Sequence, residues 1–484
     1  MLFNRSLISS ALIFALSTSN ISADIDKIQL PDIGDSSGTL ISPAQEIELG
    51  EAFFRSLHSQ LAINQDPEIQ HYIQTIGKNL VINSDNPGYP FHFFVVLEND
   101  INAFAGPGGY IGVNSGLILT TEAESELASV MAHEIAHVTQ RHLYRAFEAA
   151  SRLSIPTAVA TLAAILIGTQ SPGLGQAAIV AAQAGSAQFQ INFTRENEEE
   201  ADRVGMQTLA GSQYDPRSMP TFFERLQQAT RYVGQNVPEF LRTHPVTSSR
   251  ISDSRGRAET YPYKQFPDSM AYQLAKAKLR ILTTEDPKQA LAYFQNRLTL
   301  GTEEQRAISR YGFGLALLNM QKLEEAETIF LELVKNYPDQ PQFLTAMART
   351  AQESKNFPKA LSLYEKASKQ FPDNEGIKFE FIRSLLKTGN PELAKKNLQS
   401  LNAKVQKSPL FYELIAEAYS EMKQPAESHR YLAEYYYVSG QSREAITQIR
   451  LAQKEKNLSF QLASILNERL KFFISEFEAA HRER

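Results

Sequence analysis

The sequence predicts an α+β domain, mostly helical with a small sheet, followed by an all-α solenoid of short helical repeats. Three observations lead to this prediction. The chain has 484 residues, which is long enough for two or three domains. Helix-like and strand-like patterns are mixed up to about residue 263. Beyond it, strand patterns stop and apolar and small residues recur every 34 positions, so we place the two domains at residues 24–263 and 264–484.

Composition excludes several classes of function. Hydrophobic residues make up 43% of the chain and charged residues 21%, which is typical of a globular protein. The formal net charge of −6 offers no basic surface, so we expect no nucleic-acid partner. The chain contains no cysteine, which excludes disulfides, thiolate nucleophiles, cysteine-bound zinc and iron–sulfur sites.

Residues 1–23 have the pattern of a secretory signal peptide. Arg5 supplies a positive charge, Leu7–Leu16 is largely apolar, and small or polar residues lead to Ala23. The alternative is a retained N-terminal anchor, but this apolar run is too short to span about 30 Å of hydrocarbon. We therefore predict cleavage after Ala23 and export to the periplasm, an oxidising compartment in which a chain without cysteine has no thiol to mispair.

Three helix starts are visible in the first domain. Ser42-Pro43 and Asp66-Pro67 each combine a capping side chain with proline at the first helical position. Thr121–Glu124 has the spacing of a capping box and predicts one long helix that reaches about Ala150.

Two short strands are predicted between the second and third helix starts. Residues 91–97 are rich in β-branched and aromatic side chains and are bounded by Pro90 and Asn99. Gly106–Gly109 is a turn pattern, and Tyr110–Val113 follows it as a second strand. These strands predict a small sheet beside the long helix.

The segment Leu153–Thr194 contains no charged residue over 42 positions. Its two apolar stretches, 155–167 and 177–184, are too short or too polar to span a membrane. We interpret them as a hairpin of two apolar helices that either packs on the protein or touches a membrane surface. We predict no transmembrane span.

The second domain has the period of a tetratricopeptide repeat. Five residues recur 34 positions later in the same order: Leu323, Ala326, Phe330, Tyr337 and Pro338 return as Phe357, Ala360, Tyr364, Phe371 and Pro372. A weaker third copy retains Ala394 and Leu398, and Gly314 and Ala348 take the small position of each first helix. The alternative is a generic helical bundle. A repeat solenoid offers a groove for peptides or proteins and no chemistry of its own.

The motif His133-Glu134-x-x-His137 predicts a metal site. Positions i and i+4 of a helix lie on one face, so both imidazoles can bind one Zn²⁺. Glu134 lies beside that face, where it can take a proton from the attacking water and pass it to the leaving amine. The alternative is a solvent-facing helix with incidental histidines, but its neighbouring residues are apolar and predict a buried helix.

A hydrolytic zinc site needs a third protein ligand and an open position. Without cysteine, that ligand must be histidine, aspartate or glutamate, and Arg195–Asp202 is the acid-rich candidate segment. Clustered carboxylates usually form a solvated helix face. Spacing alone does not choose among the four glutamates.

H-E-x-x-H followed by E-x-x-x-D resembles the gluzincin peptidases related to the CAAX prenyl protease and HtpX. The resemblance implies a zincin-like metalloprotease domain with Glu198 as the third ligand and Asp202 as acceptor for a ligating imidazole. Asn102–Gly116 resembles the segment before the metal helix in this family, which ends in an edge strand that pairs with substrate. The multi-pass membrane helices of the prenyl protease and HtpX are absent here, so their substrates and location do not transfer.

The resemblance also makes the segment Thr243-His244-Pro245 a candidate part of the site, because the family's Thr-His-Pro motif places a histidine near the metal. His244 is then expected either to bind zinc in a resting state or to donate to the oxyanion, and Arg250 to steady the same charge. A lone histidine before proline is otherwise usually a turn residue. His142 lies five positions after His137, off the ligand face, and we assign it no role. The isolated histidines are interpreted as structural or surface residues: His58, His71, His92, His429 and His481.

Signal peptide, protease and repeats together resemble the periplasmic BepA-type metalloproteases over nearly the whole mature chain. The resemblance implies a zinc endopeptidase, with one Zn²⁺ per chain, that assists assembly of outer-membrane proteins and degrades misassembled ones. The implied partners are those unfolded or misassembled proteins and the β-barrel assembly machinery. The alternative is a chaperone or adaptor that acts through its repeats beside a latent metal site, although the intact Glu134 favours the protease. A scaffold with structural zinc fits less well, because such sites are usually closed and cysteine-rich.

Overall fold

The computed structural model describes residues 41–149, 159–160, 162–164, 166, 194–233, 238–403 and 405–482. The predicted signal peptide, residues 1–23, lies outside the described residues, as does most of the uncharged segment. Among the described helices, none combines the length and the apolar character that a membrane crossing requires.

The first half of the chain forms helices around a three-stranded sheet. Its described elements are α1 (Pro43–His58), α2 (Pro67–Ile82), β1 (His92–Val96), β2 (Ala103–Ala105), β3 (Tyr110–Asn114), α3 (Ser115–Thr120), α4 (Glu124–Thr139), α5 (His142–Ala149), α6 (Arg195–Gly211), α7 (Ser218–Val233), α8 (Glu239–Thr243) and α9 (Ser248–Ala258).

Both proline-marked helix starts are confirmed. The Ser42 hydroxyl accepts from the Gln45 amide, and the Gln45 side chain returns to the Ser42 backbone, which completes a capping box at α1. The Asp66 carboxylate accepts from the amides of Glu68 and Ile69 at the start of α2.

The sheet has the order β1-β3-β2, with β1 parallel and β2 antiparallel to β3. Both predicted strands are confirmed, but the expected position of the edge strand is wrong. Tyr110–Asn114, which ends the segment Asn102–Gly116, is the central strand, and the edge strand is β2 at the beginning of that segment. The turn at Gly106–Gly109 causes this, because it folds β2 back onto β3 and covers one side of β3.

Successive residues of β1 enter two different apolar layers. Phe93 and Val95 pack into the core formed with α2, α4 and α7, whereas Phe94 and Val96 pack into a second cluster with α1 and α5. Side chains alternate across a strand, so a run that is apolar at every position is buried on both faces. Both faces of the sheet are therefore covered, and α4 packs against it with residues 124–137 buried.

The predicted long helix is two helices, α4 and α5. The capping box expected from Thr121 and Glu124 is wrong: α4 begins after Ala123 without a side-chain cap, and the Thr121 hydroxyl donates to the Ile118 carbonyl instead. Arg141 has a left-handed backbone, with φ of 54°, which ends α4 and turns the chain into α5.

Among the few described positions of the segment 153–194, four are helical and buried: Val159, Leu162, Ala163 and Leu166. Their spacing of three and four residues places them on one helical face. That face belongs to the cluster containing Phe53, Phe94 and Leu143. At these positions the segment packs on the protein; the remainder of the predicted hairpin lies outside the described residues.

The second half is an array of helix pairs, and no strand occurs in its described residues. The helices are α10 (Met270–Thr283), α11 (Pro287–Gln295), α12 (Glu303–Asn319), α13 (Leu323–Asn336), α14 (Pro341–Glu353), α15 (Phe357–Gln370), α16 (Glu375–Lys387), α17 (Pro391–Gln399), α18 (Pro409–Glu421), α19 (Pro425–Val438), α20 (Ser442–Lys454) and α21 (Phe460–Arg482).

The recurring residues occupy the contacts between paired helices. Ala326 and Phe330 of α13 and Ala360 and Tyr364 of α15 are all buried. Gly314 of α12 lies beneath the Phe330 ring, which approaches to 2.7 Å of the place a Cβ would take. The 34-residue period thus repeats one packing arrangement, and Ala394 and Leu398 of α17 continue it.

Candidate metal centre

Three residues of the H-E-x-x-H motif lie on one buried helix. His133, Glu134 and His137 of α4 are at most 2% exposed, which agrees with the buried helix predicted from the apolar neighbours. The Nε2 atoms of His133 and His137 lie 3.0 Å apart, because residues i and i+4 share a helical face.

Helix α6 brings one carboxylate to this pair. The Glu198 oxygens lie 3.5 Å from Nε2 of His133 and 3.4 Å from Nε2 of His137. Glu196 is exposed, and Glu199 pairs with Arg195 at 3.1 Å on the outer face. The structure thus brings Glu198, the residue implied by the resemblance, to both histidines.

Asp202 and Arg250 lie behind the histidines. An Asp202 oxygen is 3.0 Å from Nδ1 of His133. Arg250 donates to both Asp202 oxygens at 2.7 and 2.8 Å, and its Nη1 lies 2.7 Å from Glu198. These contacts direct the guanidinium at the carboxylates, so the geometry favours a positioning role for Arg250 over the expected role in steadying the oxyanion.

His244 completes the cluster from the end of α8. Its Nδ1 is 2.9 Å from Glu198 and 3.4 Å from Nε2 of His133. Its Nε2 is 3.5 Å from Glu134. Phe240, one helical turn earlier, is fully buried and stacks on the His244 ring at 4.9 Å. The imidazole therefore lies between Glu198 and Glu134.

Burial and neighbouring charges shift the acidities in opposite directions. Burial raises the pKa of Glu134, against the lowering effects of His244, His133 and the nearby amide of Ala105. Burial alone would also raise the pKa of Glu198, but the surrounding imidazoles outweigh it and hold that pKa well below its usual range. The two carboxylates are thus separated in acidity, which suits one as a ligand and the other as a proton carrier.

The histidines differ in the same way. Burial lowers the pKa of His133, but Asp202 and Glu198 outweigh it and raise the pKa to about 9. Burial dominates at His137 and lowers its pKa well below the usual value. A neutral imidazole is the form that binds a metal ion, so His137 is already in the binding form.

The residues present fit a divalent cation. Donor atoms of His133, His137, Glu198 and His244 all lie within 4.8 Å of one another and are buried. Around them three buried carboxyl groups, Glu198, Asp202 and Glu134, face the single guanidinium of Arg250, so acidic groups outnumber the permanently charged base in this interior. A divalent cation bound by the imidazoles in their neutral form compensates this excess, and imidazole and carboxylate donors are those that zinc uses.

The edge strand β2 lies beside this centre. Asn102 accepts from Asn114 at 2.9 Å and Gly106 donates to Tyr110 at 2.7 Å, so alternate residues from 102 to 106 face β3. The intervening backbone groups of Ala103 and Ala105 point away from β3, toward the side on which an extended peptide can add. The Ile101 carbonyl on that side accepts from the Phe240 amide at 3.1 Å, which ties α8 to the same edge.

Sequence reasoning missed His142. The left-handed turn at Arg141 brings its Nδ1 to 2.9 Å from Nδ1 of His137, and its Nε2 to 3.2 Å from Glu200. Counting along one continuous helix placed His142 off the ligand face. An H-x-x-x-x-H spacing carries no helical-face signal, so only the break between α4 and α5 reveals the contact.

Comparison with known proteins follows the same division of the chain. The model of peptidase family M48 matches residues 67–258. Two tetratricopeptide-repeat models match residues 309–339 and 351–418.

Relatives extend the likeness over most of the chain. A putative β-barrel assembly-enhancing protease of Vibrio cholerae is 42% identical over 328 residues, which cover 67% of each chain. The β-barrel assembly-enhancing protease of Escherichia coli K12 is 32% identical over 429 residues, 89% of this chain and 88% of that one. The chain belongs to the β-barrel assembly-enhancing protease family. The corresponding protein of Yersinia pestis is 35% identical over 80% of each chain.

Membership in the β-barrel assembly-enhancing proteases confirms several predictions. The chain is a metalloendopeptidase of the M48 type, with a mostly helical protease domain followed by tetratricopeptide repeats. The metal cofactor expected from the H-E-x-x-H motif agrees with the family and with the convergent donors on α4, α6 and α8. A chaperone that acts only through its repeats is less well supported. The individual site residues and the domain boundaries remain predictions.

Proposed function

We propose that this protein is a zinc-dependent endopeptidase of the periplasm that cleaves unfolded or misassembled outer-membrane proteins during β-barrel assembly. The observation that carries the proposal is the buried convergence of His133, His137 and Glu198 with Glu134 beside them. Structural zinc sites are usually closed and built with cysteine ligands, which this chain lacks.

The proposed ligands are His133, His137 and Glu198. Zinc, when bound there, supplies the Lewis acidity that makes water nucleophilic near neutral pH. Asp202 orients His133, and Arg250 holds both Asp202 and Glu198 in place through its fork of donors. These contacts keep the donors fixed before the ion arrives.

Glu134 is the proposed general base and then general acid. Its carboxylate is fully buried, with His244 Nε2 at 3.5 Å and the Ala105 amide nearby. A buried carboxylate with a raised pKa beside the proposed ligands is suited to accept a proton from the attacking water and to return it to the leaving amine.

The proposed substrate is an extended polypeptide that adds to β2. Ala103 and Ala105 present alternate backbone groups to that side, so recognition rests on the main chain and is tolerant of sequence. Exported proteins that have not yet folded offer such segments. The names of the relatives as β-barrel assembly-enhancing proteases support outer-membrane proteins as the client class.

The proposed compartment follows from the signal-peptide pattern of residues 1–23. The proposed partners are client outer-membrane proteins and the β-barrel assembly machinery, which the solenoid would contact. Part of the solenoid surface is not available for this role, because Lys278 pairs with Asp66 and Glu68 at the start of α2 and Thr345 donates to Glu68.

The test compares casein degradation by the purified wild-type protein with that by the Glu134→Gln variant. The zinc content of both proteins is measured. We expect Glu134→Gln to retain zinc and lose activity, because the base is not a ligand, and His137→Ala to lose both. Glu122→Gln is the control, since this glutamate is largely exposed. Zinc at wild-type stoichiometry in His137→Ala would reject the ligand assignment. Unchanged proteolysis in Glu134→Gln would reject the mechanism and favour the adaptor.

A further inference from the structure

His142 begins α5 and meets the proposed ligand His137 from behind. The two Nδ1 atoms are 2.9 Å apart, and the rings are inclined at 78° with centroids 4.8 Å apart. His142 is fully buried. This contact exists because Arg141 leaves the helical path and returns the chain toward α4.

The direction of the hydrogen bonds follows from imidazole chemistry. Nε2 of His137 faces His133 and Glu198, so a neutral His137 that binds a metal through Nε2 carries its proton on Nδ1. That proton can be donated only to an unprotonated Nδ1 of His142. The proton of His142 then lies on Nε2, which is 3.2 Å from a Glu200 oxygen.

Glu200 is itself held in place. Arg145 of α5 donates to the same Glu200 oxygen at 3.0 Å and to the Gln140 carbonyl at 2.6 Å. The chain of donors therefore runs from His137 through His142 to Glu200, and it links α4, α5 and α6 behind the ligands.

We propose that His142 is a positioning residue that fixes the tautomer and the ring orientation of His137, with Glu200 as its anchor. It does for His137 what Asp202 does for His133, through an intervening imidazole. Partners of ligating histidines usually contribute 10- to 100-fold to metal affinity. The inference rests on the proposed zinc site.

Three variants separate this role from simple packing. His142→Asn places an amide oxygen near the position of Nδ1 and keeps an acceptor for His137, whereas His142→Leu fills the space without one. Glu200→Gln removes the charge at the outer end of the chain. Glu199→Gln is the matched control, because Glu199 is a neighbouring glutamate that pairs only with Arg195 on the exposed face in the described structure.

The measurement is the zinc dissociation constant, obtained by competition with a chromophoric chelator, with circular dichroism to verify folding. We expect His142→Leu to weaken zinc binding by about 10- to 100-fold, His142→Asn and Glu200→Gln to weaken it less, and Glu199→Gln to leave it unchanged. A second readout is the slowly exchanging Nε2 proton of His142 in the NMR spectrum of the zinc-loaded protein, which should shift in Glu200→Gln.

The outcomes distinguish the inference from the proposed function. If the wild type itself binds no stoichiometric zinc, the proposed site fails. If the wild type binds zinc and folded His142→Leu binds it equally well, the positioning role is rejected. Should His142→Leu fail to fold, His142→Asn and Glu200→Gln decide: wild-type affinity together with an unshifted proton signal in Glu200→Gln overturns the inference.

Discussion

At the scale of single residues, His244 contacts both the proposed third ligand and the proposed base. It contacts the proposed third ligand through Nδ1, at 2.9 Å, and approaches the proposed base through Nε2, at 3.5 Å. A residue that serves only as an oxyanion donor would be expected to leave the space between ligand and base open. His244 instead fills it, and Phe240 fixes its ring from behind.

We therefore expect His244→Ala to raise casein turnover severalfold without lowering zinc content. The physical reason is that the fourth donor of the cluster is removed while the other three remain. The measurement is turnover at equal zinc content, and His429→Ala, in the solenoid, is the control.

A decrease in turnover would instead assign His244 the role of oxyanion donor. Loss of one good oxyanion donor lowers turnover by about 10²–10³-fold. A fall of that size in His244→Ala, at unchanged zinc content, would rule out the resting-state ligand as the dominant role. Increased self-cleavage of His244→Ala during purification would support it.

At the scale of secondary-structure elements, the site depends on the close approach of α4 and α6. A Cβ at Gly205 would lie 3.0 Å from the His133 backbone nitrogen and 3.1 Å from the Ala132 carbonyl. Glycine removes this obstacle and lets the two backbones pack directly. Glu198 and Asp202 lie on the same helix, two turns and one turn before Gly205, and reach the histidines because of that approach.

We expect Gly205→Val to separate α4 from α6, to lower the free energy of unfolding by about 1–3 kcal/mol and to weaken zinc binding. Gly256→Val in α9 is the matched control, because nothing lies within 4 Å of its Cβ position. Urea unfolding and chelator competition measure the two effects. Equal behaviour of the two variants in both assays would show that the approach of the helices does not determine the ligand geometry.

At the scale of the whole molecule, protease and solenoid share one helix and one buried ion cluster. On α10, Tyr272 and Leu279 enter the protease core while Leu274 and Ile281 enter the solenoid core. Between them, Lys278 of the same helix lies 2.8 Å from Asp66 and 2.7 Å from Glu68 at the start of α2. Both halves therefore contribute to one continuous structure around α10.

We expect Lys278→Met to destabilise the protein by about 3–5 kcal/mol, because it leaves two carboxylates buried without their cation. Lys322→Met is the control, since Lys322 forms an exposed pair with Glu325 at 3.2 Å and such pairs contribute about 0–1 kcal/mol. Urea unfolding measures both. If Lys278→Met lowered the free energy of unfolding no more than Lys322→Met, the ion cluster would contribute nothing to the contact between protease and solenoid.

The same cluster predicts a dependence of stability on pH. Burial alone would raise the pKa of Asp66, but Lys278 outweighs it and lowers that pKa. A carboxyl group with a lowered pKa contributes stability that is complete above its unfolded value, about 4, and is lost as pH falls through the lowered value. We expect Lys278→Met to reduce this acid-dependent loss of stability in urea unfolding curves, because the pKa of Asp66 is no longer held down by the lysine. If the free energy of unfolding fell with decreasing pH in the same way in both proteins, Lys278 would not be the group that lowers the pKa of Asp66.

The local part of the structure was predictable from the sequence. Ser42 and Asp66 cap their helices as expected, because a cap involves only residues two or three positions away. The juxtaposition of His133 and His137 was predictable for the same reason, since the helical repeat alone places i and i+4 together. The solenoid was predictable because each repeat packs mainly on its neighbours.

Contacts between distant elements were not predictable in this way. Spacing did not distinguish Glu198 from the adjacent glutamates, and a continuous helical count excluded His142, whose contact depends on the break at Arg141. The edge strand was assigned to the wrong strand, because alternation defines the faces of a strand and not its neighbours in the sheet.

The sequence by itself determined the starts and caps of α1 and α2, the 34-residue solenoid and the pair of imidazoles on α4. Only the tertiary structure decided which carboxylate meets that pair, that Arg250 holds carboxylates, that His244 fills the space between ligand and base, and that α2 lies against the solenoid. The reason is physical. Backbone hydrogen bonds and side-chain periodicity act over a few residues, whereas the meeting of α4, α6 and α8 depends on burying apolar faces that are 46 to 111 residues apart in the chain.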